Sequence, residues 1–534
     1  MIPARADTDA APRPTDPALP DGGTAQRRGS ARAVLAVLLV AVGALWLVSA
    51  AGDLPYLHHP DEPTNLRIVD EMVDSGDPNP HFFNYPSLFF YLHAAVNLDG
   101  PLLGWAGDED APTSLVRSVA MSETPASVMV HRALSVVLGL LALVAAYESA
   151  LLLTARRWLS LAAPALLATS LTLTMNARVV APDVLSVALV AATLWAGLRL
   201  LRAPSWSAHV VAGVAAGLAT SSKYNAVLVL ATVGAASLLA KDGPDVPGDQ
   251  RGATITLRWS KLAAAGAAAV AAFVLTSPYS LLDRTRFIDD LRFEQTHYST
   301  GHAGMDGNAL GWYLHHLVTS EWLLTAAAVA GLVVAVTRRK WRELGVLLAF
   351  PAVYGVVISS QAVRNDRTAL LLLPSCAVLA AFGLGLLLER DGGALTPGTG
   401  WTRWRTPLIV AGVAVLVLQA AHLRQAFDTR ESTYEASRRW IEEHVPTGAP
   451  VLIEMYSPWV DPEVYEVTAV TTLAGAEVDP GSYVVASEAV YERYLEAPDR
   501  FPEHAAAYRS LFDELDTVAV IEGNGPRIRI MERR

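Results

Sequence analysis

Residues 33–51 read AVLAVLLVAVGALWLVSAA, an apolar stretch without a charged side chain. About 20 apolar residues are enough to cross the hydrocarbon core of a bilayer as a helix. Arg27, Arg28 and Arg32 lie just before the stretch, and no small-residue cleavage site follows a short apolar core. The stretch is therefore predicted to be an uncleaved first helix rather than a signal peptide, and the arginines predict that it begins in the cytoplasm.

The composition of the whole chain points to the same class of protein. Hydrophobic residues make up 52% of its 534 positions and charged residues only 17%, whereas a typical soluble domain has about 25% charged residues. We therefore predict an all-α, polytopic membrane protein. A net charge of −11 without an extended basic patch argues against nucleic acid as a partner. The one cysteine, Cys376, excludes a disulfide framework and a cysteine metal cluster.

About eleven apolar stretches are predicted to span the membrane, which places the N-terminus inside and the C-terminus outside. After 33–51 they are Ala133–Thr154, Leu159–Met175, Val184–Leu198, Val210–Thr220, Ala226–Ala240, Leu262–Leu275, Leu317–Val336, Leu344–Ile358, Ala369–Leu388 and Pro407–Ala421. Basic clusters support this order, because each lies beside a span end on the predicted inner side, as the positive-inside rule requires. They are Arg156 and Arg157, Arg199 and Arg202, Arg251 to Lys261, Arg338 to Lys340, and Arg403 and Arg405.

The same pattern divides the chain into three regions. Residues 1–32 are predicted to be a disordered cytoplasmic tail, and residues 33–423 a membrane domain with long outside loops at 52–125 and 277–316. Residues 424–534 hold nearly all of the net negative charge and are predicted to be a small α/β domain outside the membrane. Its predicted helices lie at 434–445 and 490–515, and its predicted strands at 451–455, 483–486, 518–521 and 528–530.

Ionisable side chains near a membrane are costly unless paired, so they are the first candidates for a functional site. The first group is HHPDE at positions 58–62, just beyond the first helix. Two adjacent carboxylates, Asp61 and Glu62, repel each other, which is expected to raise the pKa of one of them and let it serve as a proton acceptor. The same residues also suit a helix N-terminus, where acidic groups complement the helix dipole. A metal site built from imidazoles and carboxylates is a third interpretation.

Three further charged groups fall on the predicted outer face. Arg178 and Asp183 lie between the third and fourth spans, where Asp183 could also cap a helix or pair with the arginine. Lys223 lies in a polar hinge, where it either attracts a lipid phosphate or snorkels to the interface. Arg364 and Arg367 lie on the predicted outer side, whereas basic residues beside membrane spans usually lie on the inner side. Arginine forks suit phosphate oxygens, and a structural pair with an aspartate is the alternative.

Two outside segments could line a cavity beside these charges. One is Ser277-Pro278-Tyr279, and the other is the loop that contains His297, Tyr298 and His302. Histidines in such a loop are more often solvated or hydrogen-bonded than metal ligands.

In their order and shared membrane side, these groups resemble the GT-C fold glycosyltransferases, in particular the protein O-mannosyltransferase and aminoarabinose-transferase-like branch (glycosyltransferase family 39-like). The features that carry the resemblance lie in residues 33–423. They are the Asp61-Glu62 pair, the Tyr85-Pro86 motif in the first outside loop, Arg178 with Asp183, Lys223 at a short outer hinge, and Arg364 with Arg367 ahead of Leu372-Leu373-Pro374.

The resemblance implies transfer of a sugar from a polyprenyl-phosphate lipid to an acceptor hydroxyl at the outer face of the plasma membrane, with inversion and without a nucleotide-sugar site. It implies that Asp61 is the general base, that Glu62 is the second acid of the pair, and that Asp183 orients the acceptor or assists the base. It further implies that Lys223, Arg364 and Arg367 bind the donor phosphate. The side chains expected around the substrates are Tyr85, Arg178, Tyr224, Tyr279 and His297.

Several alternatives stay open at the level of sequence. One alternative is that His58 and His59, together with Asp61 and Glu62, bind a divalent metal. The sugar is not defined, and the acceptor is a glycan, a protein or a lipid. A transporter or flippase for a lipid or lipid-linked sugar would also use intramembrane charges, but at mid-span and on both faces. A non-catalytic cell-envelope scaffold would use the acidic outside domain to dock a partner.

Overall fold

The computed structural model describes residues 22–97, 120–122, 124–241, 251–305, 307–389, 417–427 and 431–534. Up to residue 389 the described chain is almost entirely helical. Its helices are α1 Gly22–Ala50, α2 Glu62–Ser75, α3 Leu88–Ala94, α4 Pro125–Thr154, α5 Arg157–Ser160, α6 Ala162–Ala168, α7 Leu171–Asn176, α8 Pro182–Arg202, α9 Trp206–Thr220, α10 Leu230–Leu239, α11 Arg251–Thr276, α12 Tyr279–Leu282, α13 Arg284–Thr300, α14 Ala309–Thr319, α15 Trp322–Thr337, α16 Trp341–Ser359, α17 Asp366–Ala369 and α18 Leu373–Leu387.

Six described helices are long and apolar enough to cross a membrane, and a bent pair raises the number to seven. The six lie at Ser30–Ala50, Pro125–Thr154, Pro182–Arg202, Thr256–Thr276, Trp341–Ser359 and Asp366–Leu387, and the bent pair is α14 with α15. Shorter apolar helices occupy Arg157–Ala168, Trp206–Thr220 and Tyr224–Leu239. The predicted span Pro407–Ala421 lies mostly outside the described residues. The count of eleven therefore stays a prediction.

Two predicted spans are interrupted rather than continuous helices. The stretch 159–175 is divided among α5, α6 and α7, because the side chain of Ser170 accepts a hydrogen bond from the Leu173 N–H and starts a new helix there. The stretch 317–336 bends by 99° between α14 and α15. At this bend the carboxylate of Glu321 accepts hydrogen bonds from the Thr172 N–H at 2.9 Å and the Ser170 hydroxyl at 2.8 Å. Polar side chains thus interrupt an apolar pattern that looks uniform.

Small residues bring neighbouring helices into close contact. A Cβ atom on Gly213 of α9 would lie 2.1 Å from the carbonyl oxygen of Ala265 on α11, and one on Gly217 would lie 2.2 Å from that of Ala269. Such small-residue contacts are typical of helix pairs in membranes, where van der Waals packing replaces a hydrophobic driving force.

The bundle has two chemically different ends. Helix α8 contains 21 residues, and at 1.5 Å per residue it is about 31 Å long, the thickness of a bilayer core. Asp183 lies in its first turn and Arg202 in its last. Beside Arg202, a cavity of about 250 Å³ is also lined by Lys241 and Arg342. Basic residues therefore collect at the end of the bundle opposite Asp183.

The C-terminal segment forms a mixed five-stranded sheet with helices. Its strands are β3 Pro450–Glu454, β4 Glu466–Val470, β5 Tyr483–Ser487, β6 Asp516–Ile521 and β7 Ile528–Glu532, and its helices are α19 Thr433–His444, α20 Glu488–Leu495 and α21 Pro502–Glu514. The strand order is β4-β3-β5-β7-β6, in which β4, β3 and β5 are parallel and β7 is antiparallel to both of its neighbours. The sequence pattern predicted this α/β character but missed β4 and joined α20 to α21.

Aromatic side chains dock this segment on the loop that follows α1. A two-stranded ribbon there pairs β1, Tyr56–Leu57, with β2, Ala120–Met121. Tyr56 contacts Trp459 with 5.6 Å between ring centroids, and His58 stacks on Tyr434 at 4.5 Å. The guanidinium of Arg438 lies 4.9 Å above the Tyr56 ring. The C-terminal sheet is thereby held over the same end of the bundle as Asp183.

Candidate active site

Asp61 precedes α2, and the fold brings it to Arg367, which lies 306 positions later in the sequence. The two side chains form an ion pair. The hydroxyl of Tyr85 also donates to the Asp61 carboxylate at 3.3 Å. Arg367 is held in place because Asn365 caps α17, its side chain accepting a hydrogen bond from the Thr368 N–H at 2.8 Å. About a quarter of each charged side chain, 24% for Asp61 and 23% for Arg367, stays exposed.

A second ion pair joins the start of α8 to the hinge after α9. Lys223 contacts Asp183 at 2.6 Å, with the lysine 12% and the aspartate 1% exposed. Pro182 begins α8 after an extended residue, which fixes Asp183 in the first turn. The carboxylate raises the pKa of Lys223 even though burial lowers it. This lysine therefore keeps its charge inside the protein.

The two ion pairs lie close enough for the charges of one pair to influence the other. Burial alone would raise the pKa of Asp61, but the charge and hydrogen bond of Arg367, together with His59 and Lys223, hold it well below its usual range. Asp61 is therefore ionised throughout the physiological pH range. By contrast, burial and the adjacent Asp61 carboxylate raise the pKa of Tyr85, which stays protonated as a hydrogen-bond donor.

Glu62 does not join Asp61 at this cluster. Arg132 of α4 donates to it twice, from Nε at 2.8 Å and from Nη2 at 2.7 Å, and the Val180 N–H donates at 3.0 Å. Burial raises the pKa of Glu62, but these interactions with Arg132 lower it overall. The expectation that repulsion between the two acids raises the pKa of one of them is therefore wrong, because each carboxylate is paired with its own arginine. With the carboxylate fully buried, the pair connects α2 to α4 and to the turn before α8.

The four metal candidates have separate partners. His58 stacks on Tyr434, and the neutral His59 accepts a hydrogen bond from the Asp61 N–H at 3.3 Å. Asp61 and Glu62 each pair with an arginine. In the part of the chain that the structure describes, no group of three or more His, Cys, Asp and Glu side chains could hold a metal ion.

Two adjoining cavities open beside the ion pairs. The first, of about 400 Å³, is lined by Asp61, Arg367, Tyr85, His297 and Tyr298, among others. The second, of about 500 Å³, is lined by Lys223, Tyr224, Asn225 and Gln361, and shares Asn84, Tyr85, Glu294 and Tyr298 with the first. Cavities of this size accommodate small-molecule ligands. Of the charged residues predicted from the sequence, Asp61, Arg367 and Lys223 thus line these cavities, whereas Asp183 lies behind Lys223 and lines neither.

Besides Glu62 and Asp183, three further predicted site residues lie away from the cavities. Arg178 donates to the Ser49 hydroxyl at 2.7 Å and to the Ala426 carbonyl at 2.9 Å, so it connects the turn before α8 with the end of α1. Arg364 lies against Gly307, where a Cβ would be 3.1 Å from its guanidinium. Neither of them, nor Tyr279, lines either of the two cavities.

Other residues at the site were not predicted from the sequence. Arg132 carried a usable signal, because an arginine at the outer end of a predicted span runs against the inside bias. Tyr456, Arg493 and Tyr494 line the first cavity from the C-terminal sheet. Nothing in the sequence around these three residues identifies them as site residues, because they reach the cavity only when the sheet docks on the helices.

Comparison with known proteins agrees with this architecture. Residues 122–278 match the family model of dolichyl-phosphate-mannose-protein mannosyltransferase, and this segment contains Asp183 and Lys223. The crystal structure of ArnT from Cupriavidus metallidurans in the apo state is similar, with 17% identity, a TM-score of 0.51, and coverage of 94% of this chain and 98% of that chain. The structure of the same protein bound to undecaprenyl phosphate gives 16% identity, a TM-score of 0.50, and coverage of 93% and 97%.

At this level of identity the similarity to ArnT shows a shared fold. No curated protein matches the chain. Together with the family model, the shared fold confirms the resemblance to the GT-C glycosyltransferases that the order of charged motifs predicted.

Proposed function

We propose that this protein is a membrane glycosyltransferase that transfers a sugar from a polyprenyl-phosphate donor to an acceptor hydroxyl at the outer face of the plasma membrane. The observation that carries the proposal is that Asp61, Arg367 and Lys223 line adjoining cavities, with Asp61 paired to Arg367 and the buried Asp183 paired to Lys223. The GT-C fold, and the undecaprenyl phosphate bound in the ArnT structure, support a lipid-phosphate donor.

Asp61 is the general base in this proposal. A hydroxyl is a poor nucleophile until its proton is removed, and a positioned base typically contributes about 10²–10⁴-fold to the rate. Asp61 is ionised and a quarter exposed to the cavity, so it can accept the proton. Asp183 is almost fully buried, and its role is to hold Lys223 in position.

Arg367 and Lys223 bind the donor phosphate. As the bond between the anomeric carbon and the phosphate oxygen breaks, negative charge grows on the leaving phosphate. Cations placed in advance stabilise this charge in the transition state, and losing one such donor typically costs about 3 kcal/mol. Arg364 packs against Gly307 and lines neither cavity, so Arg367 and Lys223 are the two cations that bind the phosphate.

A single displacement completes the reaction. The acceptor oxygen attacks the anomeric carbon from the side opposite the phosphate, its proton goes to Asp61, and the polyprenyl phosphate leaves. This geometry inverts the anomeric centre and needs no covalent enzyme intermediate.

The test is release of sugar from a radiolabelled polyprenyl-phosphate donor by the purified full-length protein. We expect Asp61→Asn to lower turnover by at least a hundredfold while the protein stays folded in detergent. Asp289→Asn changes a carboxylate of α13 that is 63% exposed and lines neither cavity, so this variant should match the wild type. Unchanged turnover by Asp61→Asn would remove this residue from the mechanism. A transporter or a scaffold would leave the donor intact even with the wild-type protein.

A further inference from the structure

The C-terminal sheet supplies one wall of the first cavity through the carboxyl ends of its parallel strands. Met455 and Tyr456 follow β3, Thr471 follows β4, and Arg493 and Tyr494 lie on α20, directly after β5. In open α/β sheets this edge is where ligands bind, because the loops after the strands leave a crevice there. The sheet therefore presents its ligand-binding edge to the cavity that contains Asp61.

This edge is held together by a buried carboxyl group. Glu454, the last residue of β3, accepts hydrogen bonds from the Ser487 N–H at 2.8 Å and the Leu473 N–H at 3.2 Å. It also accepts one from the Tyr508 hydroxyl. The ends of β3 and β5 and the loop after β4 are thus fixed relative to one another, as a binding site requires.

Arg493 is the cation of this wall. Its guanidinium lies 5.0 Å above the ring of Tyr456, within the range of a cation–π contact. Its aliphatic stem packs against Gly304, where a Cβ would lie 2.9 Å from the Arg493 Cγ. Gly304 has a φ of +82°, a conformation that favours glycine, and a side chain at this position would occupy the space of the Arg493 stem. Contacts from both the sheet and the helical bundle therefore hold the arginine at the cavity.

Arg493 differs from the other cations around Asp61 in its partners. Arg367, Lys223 and Arg132 each pair with a carboxylate. Across the described ranges, no carboxylate lies within ion-pair distance of Arg493. A guanidinium that is stacked on one face keeps its N–H donors for a planar anion such as a carboxylate or a phosphate.

The position of Arg493 separates it from the donor phosphate. Arg367 and Lys223 lie at the ends of apolar helices, where the headgroup of a membrane lipid can reach them, whereas Arg493 belongs to the sheet on the other side of the cavity. We propose that Arg493, stacked on Tyr456, forms an acceptor subsite that recognises an anionic group on a carbohydrate acceptor. This inference rests on the proposed function and adds a substrate class to it: the acceptor is an acidic glycan.

The test compares small charged and neutral sugars on the full-length protein in lipid nanodiscs. The probes are methyl glucuronide for a carboxylate, glucose 6-phosphate for a phosphate, and methyl glucoside as the neutral control. We expect the wild type to bind at least one charged sugar at least tenfold more tightly than methyl glucoside. Arg493→Ala should abolish this preference, and Arg493→Lys should restore part of it. Arg509→Ala removes an exposed arginine of α21 and should keep the preference.

Binding of undecaprenyl phosphate in the same nanodiscs separates the two substrates. We expect its affinity to depend on Arg367→Gln far more than on Arg493→Ala. The acceptor subsite is overturned if the wild type binds charged and neutral sugars with equal affinity, or if it binds neither charged sugar. It is also overturned if Arg493→Ala weakens the binding of undecaprenyl phosphate but leaves the binding of the charged sugar unchanged. If the wild type neither binds undecaprenyl phosphate nor releases sugar from the donor, the proposed function itself fails, whatever the sugar probes show.

Discussion

At the scale of single residues, exposure separates the two aspartates of the site. Asp61 is 24% exposed and lines the first cavity, whereas Asp183 is 1% exposed. A proton acceptor must come within hydrogen-bond distance of the acceptor hydroxyl, and only the first of these two carboxylates has the access to do so. The cation beside Asp61 holds the pKa of this carboxylate well below its usual range, and this determines how the site responds to pH.

Because of the Asp61–Arg367 pair, we expect the transfer rate not to fall on the acid side of its pH profile. Arg367 holds the pKa of Asp61 well below its usual range, so lowering the pH from 8 to 5 does not protonate it. The stability that the pair contributes is present above the unfolded pKa, about 3.9, and is lost as the pH falls through the folded pKa. In Arg367→Gln, burial acts unopposed by that charge and raises the pKa of Asp61.

Initial transfer rates between pH 5 and 8 check this prediction. Arg367→Gln should be slower at every pH and should acquire an acid limb that the wild type lacks. Arg292→Gln, at a 74% exposed position on α13, should keep the wild-type profile. An acid limb of equal size in all three proteins would contradict the assignment.

The Glu62–Arg132 pair predicts a stability effect. Removing one partner of a buried ion pair typically costs about 3–5 kcal/mol, because the other charge is left buried and unpaired. Arg132→Met should therefore lower the thermal unfolding midpoint in detergent strongly. The double variant Glu62→Leu, Arg132→Met should recover part of the loss, since no charge remains.

An exposed ion pair on α2, the helix that contains Glu62, is the matched control for this prediction. Arg67 and Glu71 form an i,i+4 pair with 34% and 59% exposure, and such surface pairs are worth less than about 1 kcal/mol. Arg67→Met should therefore change the midpoint little. If the single and double variants at 62 and 132 unfold at the same temperature, the ion pair is not what stabilises the contact between α2 and α4.

At the scale of elements, helix starts bring the charges together. Asp61 precedes α2, and Asp183 lies in the first turn of α8. The N-terminal end of a helix carries a partial positive charge that favours anions. These carboxylates are therefore stabilised by their own helices as well as by the paired cations.

Close packing of α9 on α11 predicts the cost of a single methyl group. A Cβ on Gly217 would lie 2.2 Å from the Ala269 carbonyl oxygen, and backbone cannot give way as a flexible side chain can. Overpacking of this kind typically costs about 1–3 kcal/mol. Gly217→Ala should therefore lower the thermal midpoint. Gly234→Ala on α10, where nothing lies within 4 Å, should not, and equal midpoints for the two variants would rule out a tight α9–α11 contact.

At the scale of the whole molecule, the two ends of the bundle differ in charge. Arg202, Lys241 and Arg342 meet at one end, and the cavities with Asp61 and Lys223 lie at the other. Basic residues favour the cytoplasmic side, so we expect the cavities and the C-terminal sheet to face outward.

Cysteine labelling in intact cells checks this orientation. In a Cys376→Ala background, Ala506→Cys places a thiol at an exposed position of α21, and Thr337→Cys places one at an exposed position beside the basic end. A membrane-impermeant maleimide should label the first in intact cells and the second only after permeabilisation. The reverse pattern would invert the topology and move the site to the cytoplasm.

The sequence by itself determined what depends on local properties of the chain. Hydropathy identified a helical membrane protein, because burial in lipid requires apolar side chains along the whole length of a span. The charges at Asp61, Asp183, Lys223 and Arg367 were recognisable as candidates, because such groups are rare near a membrane unless they have a function. The order of these motifs also predicted the GT-C resemblance.

Only the tertiary structure decided which charge meets which. Asp61 and Arg367 are 306 positions apart, and Glu62 and Arg132 are 70 apart, so no local pattern could show that two adjacent acids have different partners. The bend at Glu321 and the approach of Arg493 to the cavity were equally out of reach. Hydropathy reports how each residue interacts with its solvent, whereas ion pairing and cavity walls depend on distances in space that only packing of the whole chain defines.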